Sequence, residues 1–127
     1  MTSAPWISGV VVRGDSRGKA LGFPTANLVL DRLHEQPADG IYAARVRTMP
    51  ATTEWPAVAH VGPRPTFAGA SATVEVHLLN FPDQSLYGQT LLVQFLTKIR
   101  EVQKFATVPD LIAAIQDDCQ KALEILQ

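Results

Sequence analysis

Apolar and polar positions alternate along much of the chain. Thr73-Val74-Glu75-Val76-His77-Leu78-Leu79 sets Val74, Val76 and Leu78 on one face and Glu75 and His77 on the other. That period of two marks a half-buried strand. In Ile41-Tyr42-Ala43-Ala44-Arg45-Val46-Arg47, Tyr42, Ala44 and Val46 share one face and both arginines take the other. Apolar runs at 7–13, 55–61 and 91–96, with a short one at 27–29, complete six predicted strands. Pro56 near the start of its run suits an edge or a strand entry. Gly14, Gly18, Gly22, Pro24, Asp39-Gly40, Gly62-Pro63, Gly69, Pro82 and Gly88 supply turns between the runs. Short strands at this spacing predict a small antiparallel barrel or sandwich, and a barrel has the advantage of leaving no open edge.

From residue 107 the period changes. Thr107 can cap a helix, Asp110 can reach back to it, and Pro109 is tolerated in a first turn. Leu111, Ile115, Cys119, Ala122, Leu123 and Leu126 then recur at helical spacing, with Asp117, Asp118, Lys121 and Glu124 mostly on the other faces. The expected architecture is therefore mainly β, with a C-terminal α-helix laid against the strands.

Composition narrows the classes. The 127 residues suit one domain spanning 1–127, and 46% hydrophobic with 18% charged residues is globular. Eleven basic against 12 acidic residues leave a net charge of −1, which argues against a nucleic-acid partner held by the overall field. The single cysteine, Cys119, rules out an intrachain disulfide and a cysteine-based zinc site. Residues 1–13 lack the basic start and apolar run of a leader, and no apolar run nears the roughly 20 residues that cross a bilayer. The expectation is a cytoplasmic protein with no membrane partner.

Four features can carry chemistry. Gly14-Asp15-Ser16-Arg17-Gly18-Lys19-Ala20 resembles a phosphate-binding P-loop only at a glance: three residues separate its glycines instead of four, and no Ser or Thr follows Lys19. It remains a glycine-rich loop whose backbone N–H groups, with Arg17 and Lys19, can cradle phosphate, or else a solvated connection between strands. Thr25 and Asn27 lie two apart on an extended segment; their oxygens suit Mg²⁺, or simply satisfy a turn. Glu75 stands mid-strand between apolar neighbours, where it is either a general base or a solvent-facing residue. Arg100 falls in a basic link, 97–105, that is either a flap over a ligand or a surface connection anchored by Phe105. His60 and His77 can approach across strands, but two histidines without a third ligand make a weak metal site.

Taken together, Gly14 with Arg17-Gly18-Lys19-Ala20-Leu21-Gly22-Phe23-Pro24-Thr25-Ala26-Asn27 resembles the phosphate-loop signature of riboflavin kinases. Asp39-Gly40-Ile41-Tyr42, Val61-Gly62-Pro63-Arg64-Pro65-Thr66-Phe67, Val74-Glu75-Val76-His77-Leu78-Leu79, Leu86-Tyr87-Gly88, residues 100–105 and Ile115-Gln116-Asp117-Asp118 continue the likeness in order over nearly the whole chain. The resemblance implies a six-stranded antiparallel Greek-key β-barrel with a C-terminal helix, and transfer of the ATP γ-phosphate to the 5′-hydroxyl of riboflavin. It implies ATP bound along Gly14, Arg17, Gly18, Lys19 and Thr25. It further implies Mg²⁺ held with Thr25 and Asn27, Glu75 as catalytic base beside the flavin, and Arg100 with its loop closing over the flavin. It is similar to the kinase half of bifunctional riboflavin kinase/FAD synthetases, in which a nucleotidyltransferase domain precedes this one; without that half, adenylylation of FMN is not expected. His60 stands where the family has Asn, Pro63 stiffens the following turn, and Asn80 replaces a common Asp. A flavin- or nucleotide-binding module without turnover, and a small interaction barrel, are the competing readings. Intact Thr25, Asn27 and Glu75 favour the enzyme.

Overall fold

A computed structural model of the chain describes residues 4–12, 22–30, 37–49, 53–62, 73–82 and 85–126. Six strands, β1 (Ile7–Val12), β2 (Ala26–Leu30), β3 (Gly40–Thr48), β4 (Glu54–Val61), β5 (Thr73–Leu78) and β6 (Thr90–Arg100), precede one helix, α1 (Val108–Ile125). The strands close in the order β1-β2-β5-β4-β3-β6, every pair antiparallel. β3, β4 and β5 form a meander and β2 returns to lie beside β5, which is the Greek-key connection.

The predicted alternation becomes the barrel wall. Val74, Val76, Val61, Ala59, Tyr42, Ala44, Val46, Leu28 and Val93 fill the interior. A six-stranded barrel is narrow, so Ala44, Ala57 and Ala59 sit among the valines and leucines where larger side chains would collide. Tyr42 reaches the barrel end and donates its hydroxyl to the Ala38 carbonyl at 2.6 Å, so no buried phenol goes unpaired. Asn80, one of the departures noted above, has φ of +60°, a left-handed conformation that Asn adopts more readily than most residues.

β6 departs from the sequence pattern, which predicts a strand ending at Leu96 and Arg100 in a loop: the strand runs to Arg100. Its pairing with β3 shifts twice, between Ile41 and Tyr42 and between Ala43 and Ala44. Each shift inserts an unpaired residue, which breaks the period of two and hides the strand's second half from a pattern search.

α1 begins as anticipated: Thr107 caps it, its hydroxyl accepting from the Asp110 N–H at 3.2 Å. Its apolar stripe covers part of the outer barrel face, where Ala122, Cys119, Leu123 and Leu126 meet Ile41, Ala43, Val58, Leu79 and Ile99. Asp118 corrects the sequence reading. It was assigned to the polar faces, yet it is only 2% exposed.

Burial beside Asp118 pushes the Cys119 thiol from 9.0 up to about 11, desolvation being the larger cause and the Asp118 charge the smaller. The folded chain therefore holds this proton more tightly than the unfolded chain does. Its contribution to stability is complete below about pH 9 and is lost as pH rises through about 11. Iodoacetamide at pH 8 should label Cys119 slowly in the native protein and rapidly in denaturant; equal rates would contradict the burial. Among the described residues, no helix is long and apolar enough to cross a membrane.

Candidate active site

The strand registers place one continuous row of residues across the barrel. Val12 pairs with Asn27, Asn27 with Glu75, Glu75 with His60, His60 with Ile41, and Ile41 with Arg100. Residues directly opposite one another share a face, and the strand neighbours of Asn27, Glu75 and His60 are buried in the barrel interior, so this row lies on the outer surface. Antiparallel pairing thus gathers Asn27, Glu75, His60 and Arg100 from four separate strands.

Over this row opens a cavity of about 690 Å³. Glu75, His60 and His77 with Thr25 and Phe23 form its floor; Ile41 and Val58 form an apolar patch; residues 102–107 and the α1 residues Leu111, Ile115 and Asp118 form the opposite wall. Its size and mixture of apolar walls with a few polar groups fit a small organic ligand.

Arg100 closes one end. Its Nε donates to Asp118 Oδ1 and its Nη2 to Asp118 Oδ2, both at 2.8 Å, and Nη1 donates to the Glu101 carbonyl at 3.1 Å. The guanidinium also stands 5.5 Å from the centre of the Phe105 ring. This two-point ion pair, with the Asp118 side chain 3% exposed and that of Arg100 21%, joins the end of β6, the flap 101–107 and the middle of α1. Arg100 was singled out for the ligand; its guanidinium is engaged chiefly with the protein, and it lines the cavity while holding the flap.

Glu75 is half-buried, its Oε2 3.6 Å from His60 Nδ1. His77 lies two residues along the same strand face. Its Nδ1 is 2.7 Å from the Pro24 carbonyl, which can only accept, so Nδ1 carries the hydrogen. The Phe23 ring meets the His77 ring edge-on at 5.8 Å. Together these contacts pin the segment that delivers Thr25 to the cavity and Asn27 to the position opposite Glu75.

Thr25, Glu75 and Arg100 therefore line one cavity, and Asn27 adjoins it on the same face. Gly14, Arg17, Gly18 and Lys19 lie outside the described residues, as does Pro63. Among the described residues, no group of three or more His, Cys, Asp or Glu could hold a metal ion, so His60 and His77 do not complete such a site.

Sequence reasoning missed Asp118 and the neighbourhood of His60 and Glu75. The first had a signal: Leu111, Ile115, Asp118 and Ala122 follow helical spacing, placing an acid on the apolar stripe. The second had none, because the β4–β5 register depends on a connection longer than pattern reading can fix.

Comparison with known proteins gives the same direction. A family model described as Flavokinase, riboflavin kinase, matches residues 2–126. The bifunctional riboflavin kinase/FMN adenylyltransferase of Escherichia coli (strain K12) is 44% identical over 112 residues, covering 88% of this chain and 35% of that protein. The chain thus spans about a third of the length of that curated relative. A solved Streptococcus pneumoniae structure, described as a macrolide-efflux protein, matches with TM-score 0.80 and 38% identity over 91% of this chain and 37% of its own. The riboflavin kinase from Trypanosoma brucei matches with TM-score 0.67 and 25% identity over 99% of this chain and 82% of its own. With the family model spanning almost every residue and the barrel shared with a solved riboflavin kinase, the chain belongs to the riboflavin kinase family.

Proposed function

We propose that the chain catalyses transfer of the γ-phosphate of ATP to the 5′-hydroxyl of riboflavin, giving FMN and ADP. The observation that carries this is Glu75, a half-buried carboxylate on the cavity floor with Thr25 beside it and Asn27 directly across the strand pair. A pure binding module has no use for a base at that point.

Phosphoryl transfer asks a protein mainly for positioning and charge management. Glu75 accepts the proton of the riboflavin 5′-hydroxyl as that oxygen bonds to the γ-phosphorus; the bond from phosphorus to the β,γ-bridging oxygen breaks and ADP leaves. Phe23, Ile41, Val58, Phe105, Leu111 and Ile115 offer apolar walls for a flat ring system. Arg100, held by Asp118, keeps the flap over that ring and limits water at the transfer point. The loop carrying Gly14, Arg17, Gly18 and Lys19 is assigned to the ATP phosphates.

Thr25 lines the cavity with Glu75, and Asn27 pairs across from Glu75, so a hydroxyl and an amide oxygen, both hard ligands suited to Mg²⁺, lie near the carboxylate. They are the residues that would hold Mg²⁺, which when bound supplies neutralisation of the phosphate charge. Relatives joined to an FMN adenylyltransferase, such as the E. coli protein, suggest a nucleotidyltransferase domain N-terminal to this one in a bifunctional setting.

Incubation with riboflavin, ATP and Mg²⁺ followed by chromatography should show FMN with an equal amount of ADP. No FMN under varied divalent metals would sink the proposal. The His77–Pro24 contact gives a further prediction. His77→Phe should raise the KM for ATP several-fold, in line with a lost hydrogen bond of about 0.5–1.5 kcal/mol. His77→Asn, whose amide nitrogen replaces Nδ1, should stay near wild type; equal KM values for the two variants would show that the contact does not place Thr25.

A further inference from the structure

Glu75 has a neighbour that the proposed reaction does not yet use. His60 is paired with it across β4 and β5, and its Nδ1 is 3.6 Å from Glu75 Oε2. Both side chains line the cavity and are about equally exposed, at 40% and 42%. The residue on the other side of Glu75 in the row is Asn27, so the carboxylate is flanked by an imidazole on β4 and an amide on β2.

A carboxylate at the end of a flexible side chain has two oxygens and two rotatable bonds before its terminal torsion. As a base it is effective only when one oxygen is aimed at the proton it takes. An imidazole 3.6 Å from Oε2 lies beyond hydrogen-bond distance but crowds that oxygen, which limits the rotation and leaves Oε1 for the substrate.

We propose that His60 is the positioning residue for Glu75, standing against Oε2 so that the other oxygen faces the reacting hydroxyl. This rests on the reading of Glu75 as the base.

The other charged or titratable groups lining the same cavity do not substitute for His60. His77 on β5 is committed through Nδ1 to the Pro24 carbonyl. Arg100 on β6 and Asp118 on α1 neutralise one another in their two-point pair. Lys104 on the flap is exposed.

The test compares wild type with His60→Leu and His60→Asn, scored by FMN formation. His60→Leu should lower kcat about tenfold, a part of what a positioned base contributes, with KM for both substrates within about twofold. His60→Asn, which keeps a donor near the Nδ1 position but cannot take a charge, should recover most of that kcat. Unchanged kcat in His60→Leu, a rise in KM alone, or a kcat in His60→Asn no better than in His60→Leu would each overturn the proposal. Wild type that makes no FMN would instead overturn the kinase reading itself. Circular dichroism of each variant separates these results from a folding defect.

Discussion

Glu75→Gln should lower kcat by about 10²–10⁴-fold, the range a general base ordinarily contributes. That corresponds to about 2.7–5.5 kcal/mol of lost transition-state stabilisation. Gln keeps the size and the two polar atoms of Glu but cannot take a proton at neutral pH. Glu75 lies on the outer face, half-exposed, with the buried Val74 and Val76 on either side holding the strand. The exchange should therefore leave the barrel intact and the affinity for ATP within about twofold, since a base engaged mainly in the transition state contributes little to ground-state binding. Initial rates of FMN formation and ATP titration by calorimetry measure the two quantities separately. A variant within a few-fold of wild type in kcat would remove Glu75 from its role. A variant that lost ATP binding instead would make it a ligand for the nucleotide.

The second large effect is structural. Asp118→Asn should destabilise the fold by about 3 kcal/mol, the lower end for breaking a buried pair. The lower end applies because the Arg100 side chain keeps 21% of its surface and can partly rehydrate, whereas that of Asp118, at 3%, cannot. For a domain of this size the loss corresponds to roughly 10 °C in Tm. Because the pair also anchors the flap, riboflavin should bind more weakly in the variant at a temperature where it remains folded. A double-mutant cycle with Arg100→Gln separates the pair from its surroundings: the double mutant should lose much less than the sum of the two single changes. Strict additivity would mean that Arg100 and Asp118 act independently, against their two 2.8 Å hydrogen bonds.

Much of this molecule is legible in its sequence, for reasons that can be named. β5 keeps a strict period of two because one face fills the barrel, and in β3 the two arginines mark the outer face even though α1 also buries Ile41 and Ala43, so the inward set Tyr42, Ala44, Val46, Val74 and Val76 can be read directly. The start of α1 is legible because Thr107 and Pro109 act within one turn of chain. The second half of β6 is not legible, because two shifts in its pairing with β3 destroy the alternation a reader counts. Asp118 is misread because a lone acid in an apolar stripe looks like a boundary residue until its partner, Arg100, is brought alongside by the barrel. The site divides in the same way. Thr25, Asn27 and Glu75 stand out by residue type, but their adjacency follows from β2 returning to pair with β5 across the intervening meander. His60 enters the site only through the β4–β5 register, so its place beside Glu75 is a property of the fold and not of any local motif.

Transfer of a phosphoryl group from ATP to riboflavin would leave its mark in the fate of each phosphorus atom. Paired reactions with ATP labelled at the γ-phosphorus and ATP labelled at the α-phosphorus test it most directly. The γ-label should appear in FMN in proportion to ADP formed, the α-label should stay with ADP, and Glu75→Gln should slow the first process without creating the second. Release of the γ-label only as inorganic phosphate, or entry of the α-label into a flavin product, would contradict it.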